Sequence, residues 1–163
     1  MMSFTDFILC AASLRPRKNQ LRLVRAVRDL PLVLVGEHPG QYPQPYIEEC
    51  KREAGSNAIF LDAMNQTELV SAYAAAKVHV LASYYETPGL SNLEAAIAGC
   101  NIVTTTGGCT KEYFGDLAWY CDHGDTQSIR KAVRGAYEAP YRNELAAAHS
   151  KSVYLGHGRQ SYL

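Results

Sequence analysis

Short apolar runs alternate with helix-period segments along most of the 163-residue chain, and nothing else in the sequence restricts the fold as tightly. The runs are 7–12 (FILCAA), 31–36 (PLVLVG), 58–62 (AIFLD), 78–83 (VHVLAS), 101–105 (NIVTT) and 117–121 (LAWYC). Helical patterns fill 19–30, 46–54, 65–76 and 90–98, and a further one, 126–138, follows the last run. A continuous apolar run suits a strand buried on both faces. Six such strands separated by helices predict an α/β domain, with a Rossmann-like, doubly wound parallel six-stranded sheet and helices on both faces. The expected strand order is 3-2-1-4-5-6.

Local signals agree with this frame. Asn65 and Glu68 have capping-box spacing. Gly99 stops the helix that begins near Leu90, and Pro140 ends the last one. Arg22, Arg25 and Arg28 read as the solvated face of the first helix, with Leu21, Val24 and Val27 on its other side. One domain is expected over 1–163, with its core over about 7–138 and a C-terminal helical segment over 139–163.

Ligands of such sheets bind outside the carboxyl ends of the strands, at the topological switch point. The loops to inspect therefore follow strands one, four and five: SLRPRKN (13–19), SYYETPG (83–89) and TTGGCTKE (105–112). The middle loop leads into ETPGLSNLEAAIAG (86–99), which carries two acids in a small and apolar stretch. Leu90, Leu93 and Ile97 are expected to form the buried stripe of its helix, with Glu94 at the stripe's edge. A carboxylate placed there is partly desolvated and needs a partner. Glu86 sits where strand hands over to helix, beside Pro88. Gly89 permits close backbone approach, and the helix start offers free N–H groups to an anion. Together these suit a phosphate on Gly89 and Leu90, ribose hydroxyls on Glu94 and a further polyol on Glu86. The alternative is a surface Glu86 and a Glu94 that snorkels out to solvent or pairs with Lys or Arg.

The same residues carry a family resemblance. Strand, ETPGLSNLE, helix, Gly, strand, TTGG and then Glu112 resemble the E-x7-E signature of retaining glycosyltransferases of the group 1, or family four, type. CAASLRPRKNQLRLVRAV resembles the family's first strand and phosphate-clamping loop, and LPLVLVG its second strand. The likeness runs from about Phe7 to Glu138. It implies one half of a GT-B fold, the carboxyl-terminal donor-binding domain. The substrate would be a nucleotide-diphospho-sugar, and the chemistry hexosyl transfer of the kind used in polysaccharide biosynthesis. No resident cofactor and no metal are expected. The partner would be an amino-terminal acceptor-binding domain, without which the chain should fold but transfer nothing. Residue by residue, the resemblance places Lys18 at the donor diphosphate and Glu86 at the transferred sugar, as the catalytic pair. Gly89 and Leu90, after Pro88, would hold the distal phosphate, and Glu94 the ribose. Asp62 to Met64 lie where the base packs. The family's usual arginine before the clamp lysine is here Ser13, so Arg15 and Arg17 are candidates to replace its charge. Ser13 also leaves open a non-catalytic domain of the same fold that binds nucleotide-sugars weakly or scaffolds partners.

Other readings find less support. Formal net charge is zero, so no global field draws in nucleic acid. The basic run 14–28 has no interleaved aromatics. No stretch is long and apolar enough to span a bilayer. The five cysteines, Cys10, Cys50, Cys100, Cys109 and Cys121, include no CxxC pair, which argues against zinc and against a disulfide framework. With Cys10 and Cys121 expected as buried thiols, a cytoplasmic location is expected, peripheral to a membrane at most in the whole enzyme. GxGxxG is absent after strand one, which disfavours hydride transfer. His79 reads as a satisfied core histidine, and His123 as a loop residue or a cleft residue. Tyr84 and Tyr85 either stack on a ligand or pack their loop.

Overall fold

The computed structural model describes residues 6–37, 44–142 and 144. Its six strands are β1 (Phe7–Ala11), β2 (Leu32–Glu37), β3 (Ala58–Asp62), β4 (Ala76–Leu81), β5 (Asn101–Thr105) and β6 (Trp119–Cys121). They form one sheet in the order β3-β2-β1-β4-β5-β6. All pairings are parallel. Both the sheet and its order match the sequence expectation. The helices are α1 (Gln20–Ala26), α2 (Gln44–Glu53), α3 (Gln66–Ala75), α4 (Leu90–Ile97), α5 (Thr110–Phe114) and α6 (Thr126–Glu138).

Strand side chains alternate between two cores, one on each face of the sheet. Ile8, Cys10, Val78, Val80 and Val103 pack beneath α1 and α6. Leu9, Ala11 and Ile102 pack on the other face, against Tyr73 of α3, Ala95 and Ala96 of α4 and Phe114 of α5. β1, β4 and β5 are therefore buried on both faces, and even the polar His79, Asn101, Thr104 and Thr105 within them are buried. β3 is an edge strand and leaves Ile59 and Leu61 exposed.

Caps fix the helix starts. Asn65 Oδ1 accepts from Glu68 N at 3.0 Å, and Glu68 Oε2 accepts from Asn65 N at 2.8 Å, completing the expected capping box. Asp125 accepts from Gln127 N at 2.8 Å and caps α6.

Besides small shifts at other element ends and the unforeseen α5, four details differ from the sequence expectation. α1 ends at Ala26 instead of near Leu30, with Val27 at φ −124° as its C-cap and a turn over 27–30 leading to Pro31. Leu23 is buried on α1, while Leu21 is only half-buried. β4 begins at Ala76, because α3 passes directly into it. Most consequentially, Leu90 and Ile97 of α4 are 69% and 41% exposed, and the buried face is Asn92, Ala95 and Ala96. Small residues let α4 sit close to β4 and β5, which turns its larger side chains outward. The part of the expected loop over 38–43 and the C-terminal segment from 145 onward lie outside the described residues.

Candidate active site

The loops at the carboxyl ends of β1, β4, β5 and β6 are tied together by short polar contacts. A 3-10 turn at Pro16–Lys18 follows β1. Asn19, at φ 60°, then donates from Nδ2 to the carbonyls of Ala82 and His123, at 2.8 and 2.9 Å. Tyr84 N donates to Arg17 O at 3.1 Å. One asparagine thus anchors the loop after β1 to those after β4 and β6.

Glu86 is held from both sides along its backbone. Its N–H donates to Gly107 O at 3.2 Å, and its carbonyl accepts from Cys109 N at 3.3 Å. Gly108, at φ 96°, lies so close that a Cβ there would fall 2.1 Å from Glu86 O. This explains the paired glycines of TTGG as a packing requirement of the Glu86 loop. The Glu86 side chain points toward the loop after β1, where Lys18 Nζ donates to Oε1 at 2.6 Å.

Gly89, at φ 79°, is the residue before α4, and no side chain caps that helix start. The N–H groups of Leu90 and Ser91 therefore have no intrahelical acceptor, as at any helix N-terminus, and the helix dipole favours an anion beside them. One turn on, half-buried Glu94 accepts from Tyr73 OH at 3.1 Å. Burial, together with this neighbour, pushes the phenol of Tyr73 up.

These groups line two adjoining cavities. One, of about 310 Å³, is lined by Glu94, Tyr73, Met64, Gln66 and Leu69. The other, of about 370 Å³, is lined by Lys18, Glu86, Thr87 and Gly89. Both share Ala11, Ala12, Ser13, Leu90 and Ser91, so they are two compartments of one trough at the carboxyl end of the sheet. Of the residues singled out in the sequence, Ser13, Lys18, Met64, Glu86, Gly89, Leu90 and Glu94 come together here. Arg15, Arg17, Asp62 and Pro88 are not among the lining residues. Arg17 and Asp62 are exposed. Tyr84 joins its loop to neighbouring elements: its ring lies 4.9 Å from that of His123, and its hydroxyl accepts from Arg22. Tyr73 was not foreseen, although Leu69 and Tyr73, four apart on α3, show the helical spacing that marks a common face.

The sequence matches the family model described as Glycosyl transferases group 1 over residues 5–153. The chain belongs to that family. No curated protein matches it significantly. Among solved structures, this glycosyltransferase domain is similar to the catalytic domain of cholesterol-alpha-glucosyltransferase from Helicobacter pylori, with 20% identity and a TM-score of 0.72 over 93% of this chain and 99% of that one. It is also similar to sucrose-phosphate synthase from Thermosynechococcus elongatus, with 22% identity and a TM-score of 0.71 over 98% of this chain. HepE from Anabaena, solved in complex with UDP and glucose, shows 20% identity and a TM-score of 0.70 over 89% of this chain. The chain spans 47% of the synthase and 41% of HepE. At these identities the structural likeness concerns the fold.

The chemistry available to the group 1 domain follows from its trough. One compartment offers a carboxylate able to accept from two hydroxyls, beside apolar walls that suit a flat ring. The other offers one ammonium and a helix N-terminus, both favourable to phosphate, next to a second carboxylate. Among the described residues no cluster of His, Cys, Asp and Glu is arranged to hold a metal ion. No described helix is long and apolar enough to cross a membrane.

Proposed function

We propose that this domain binds a nucleotide-diphospho-sugar donor and is the donor half of a retaining, two-domain glycosyltransferase. The observation that carries the reading is the order of groups along one trough: Glu94, then the start of α4, then Lys18 with Glu86. That is the order in which a nucleoside, a diphosphate and a sugar are joined. Glu94 accepts from the ribose hydroxyls, and Met64 and Leu69 flank the base. Gly89, Leu90 and Lys18 meet the diphosphate, whose charge grows as the anomeric bond breaks, so groups fixed there favour the transition state. Glu86 contacts the transferred sugar. An acceptor-binding domain closes over the trough and excludes water. The chain alone folds and transfers nothing, because the acceptor site belongs to that other domain.

Calorimetric titration with UDP-, GDP- and ADP-sugars tests this. Saturable binding of one nucleotide class is expected, and absence of binding by all three overturns it. One observation favours a second reading. Ser13 lines both compartments with a neutral hydroxyl, where the family pattern places an arginine. A domain that binds donors weakly without supporting transfer would show binding in this titration and no transfer when joined to an acceptor domain.

A further inference from the structure

We propose that His79, which lies behind the trough and lines neither compartment, is a positioning residue that locks the end of β1 to the first turn of α4 and thereby sets the spacing between the two backbone segments that border the diphosphate compartment. The proposal rests on the nucleotide-sugar reading above.

His79 is fully buried in β4, between Val78 and Val80. Plain packing at such a position asks only for an apolar side chain. The imidazole instead makes two directed bonds. Ala11 N lies 3.2 Å from Nε2. A backbone N–H can only donate, so Nε2 is the acceptor and the ring proton sits on Nδ1. Nδ1 in turn lies 2.7 Å from Asn92 Oδ1 and donates to it. Burial holds the ring pKa down at about 4, so this neutral tautomer persists at ordinary pH.

The bond to Ala11 fills a gap in the sheet. Pairing of β1 with β4 reaches no further than Leu9 opposite His79. Ala12 N donates to Val35 O of β2, so the N–H of Ala11 points the other way, toward β4, beyond the last paired residue. The histidine side chain replaces the missing strand acceptor. The bond to Asn92 is equally specific. Among the described residues Asn92 Nδ2 is buried without a partner, and His79 is the one group bonded to that amide. The edge of the same ring meets Tyr73, with centroids 5.4 Å apart, and Tyr73 is the hydroxyl that holds Glu94. Three elements therefore converge on one imidazole, and each carries part of the trough: Ala11 on β1, Leu90 on α4 and Tyr73 on α3.

The test compares the chain with its His79→Phe and His79→Gln variants. Phe keeps the volume and removes both bonds. Gln offers Oε1 to Ala11 N–H but leaves Asn92 without its donor. Calorimetry is run with UDP and uridine, GDP and guanosine, and ADP and adenosine. Amide exchange by NMR follows Ala11 and the first turn of α4, and circular dichroism checks the fold. His79→Phe is expected to weaken the diphosphate at least tenfold and its nucleoside less than threefold, with faster exchange at Ala11 and in the α4 turn. His79→Gln is expected to restore protection at Ala11, leave the α4 turn loosened and give a smaller loss. It carries the test alone should His79→Phe not fold. Equal losses for diphosphate and nucleoside, or no loss, overturn the proposal and leave His79 as core. If the unsubstituted chain binds none of the six probes, the nucleotide-sugar reading fails and the diphosphate role falls with it. The lock between β1 and α4 is then judged by exchange, and an α4 turn as protected in both variants as in the parent overturns that as well.

Discussion

Lys18 Nζ sits 2.6 Å from Glu86 Oε1, with side chains only 16% and 6% exposed, and so bridges two loops 68 residues apart in the chain. The ammonium nearest the phosphate compartment is thus already engaged by a carboxylate. Two consequences separate cleanly. Lys18→Met leaves Glu86 buried beside no cation, which should cost about 3 kcal/mol of stability and abolish selective diphosphate binding. Glu86→Gln keeps an acceptor for the ammonium but removes a negative charge beside the phosphates. Diphosphate affinity should then rise by about 1 kcal/mol, a screened Coulomb term. Urea denaturation and calorimetry on the two variants check this, and a Glu86→Gln variant with weakened diphosphate binding would place the anion elsewhere.

Glu94 and Tyr73 form the second pair. If Glu94 accepts from two ribose hydroxyls, Glu94→Ala should weaken nucleotide binding by about 1.5–3 kcal/mol, the range for hydrogen bonds to a charged group. Tyr73→Phe removes only the hydroxyl that holds the carboxylate and should cost about 1 kcal/mol of binding. Equal binding by all three proteins, with a clear loss of thermal stability in Glu94→Ala, would make the pair a structural contact only.

The sheet was legible because its physics is local. Runs such as 7–12 and 31–36 are apolar throughout, and the helices between them announce themselves by caps and period. The loops that converge on the site were legible for the same reason, since they follow the strand ends. The rotation of α4 was not. Leu90, Leu93 and Ile97 outweigh Ala95 and Ala96 in any hydrophobicity pattern, yet close packing selected the small residues and a buried Asn92. The partners of Glu94 and His79 were hidden too, because each lies across elements, and only the assembled sheet brings Tyr73 to Glu94 and Ala11 to His79. Arg15 and Arg17 were candidates to supply, beside Lys18, the charge that Ser13 lacks. The 3-10 turn over 16–18 gives each residue a different direction, and of the three only Lys18 is among the trough-lining residues.

Ser13 lines both compartments, and its carbonyl accepts from Gln20 Nε2 at 2.9 Å, so its backbone is fixed. Ser13 shares one compartment with Lys18, Gly89 and Leu90, so a guanidinium introduced here would enter the space beside the start of α4. Ser13→Arg should strengthen nucleoside-diphosphate binding by about 1–3 kcal/mol through a charge-assisted contact, and leave nucleoside binding unchanged. Calorimetry with both ligand types reads the difference. Equal changes for the two ligands would mean that the phosphates do not lie here.

Gly108 provides a check on Glu86 that needs no ligand. A methyl group at 108 would meet Glu86 O at 2.1 Å, on a backbone whose φ of 96° L side chains rarely adopt. The bridge between Glu86 and Gly108 must then open. Gly108→Ala should destabilise the fold by about 2–4 kcal/mol, combining strain with lost hydrogen bonds. Gly99→Ala is the comparison, because its Cβ would meet nothing within 4 Å although its φ is also positive, at 100°. Urea denaturation of both variants measures the difference, and equal losses would show that backbone strain, not crowding against Glu86, sets the cost.

His79 makes stability depend on pH with a definite sign. Its folded-state pKa is about 4 against an ordinary 6.5, with burial as the main cause; the bond to Asn92 and the charge of Glu86 act in the opposite direction. The unfolded imidazole takes up a proton near pH 6.5, and the folded one only near pH 4. Between those values the unfolded chain binds more protons, so acid favours unfolding. The contribution is complete above the upper value, declines as pH falls and reaches its floor near the lower one. At about 1.4 kcal/mol per pH unit its depth is about 3 kcal/mol. His79→Phe removes this term and leaves every other titrating group in place. The stability difference between the two proteins, measured by urea denaturation from about pH 7 to about pH 4, should therefore move by that amount in favour of the Phe variant as the solution is acidified. Parallel stability curves for the two proteins across this range would mean that the folded histidine is protonated as readily as the unfolded one, and that Nε2 does not accept from Ala11.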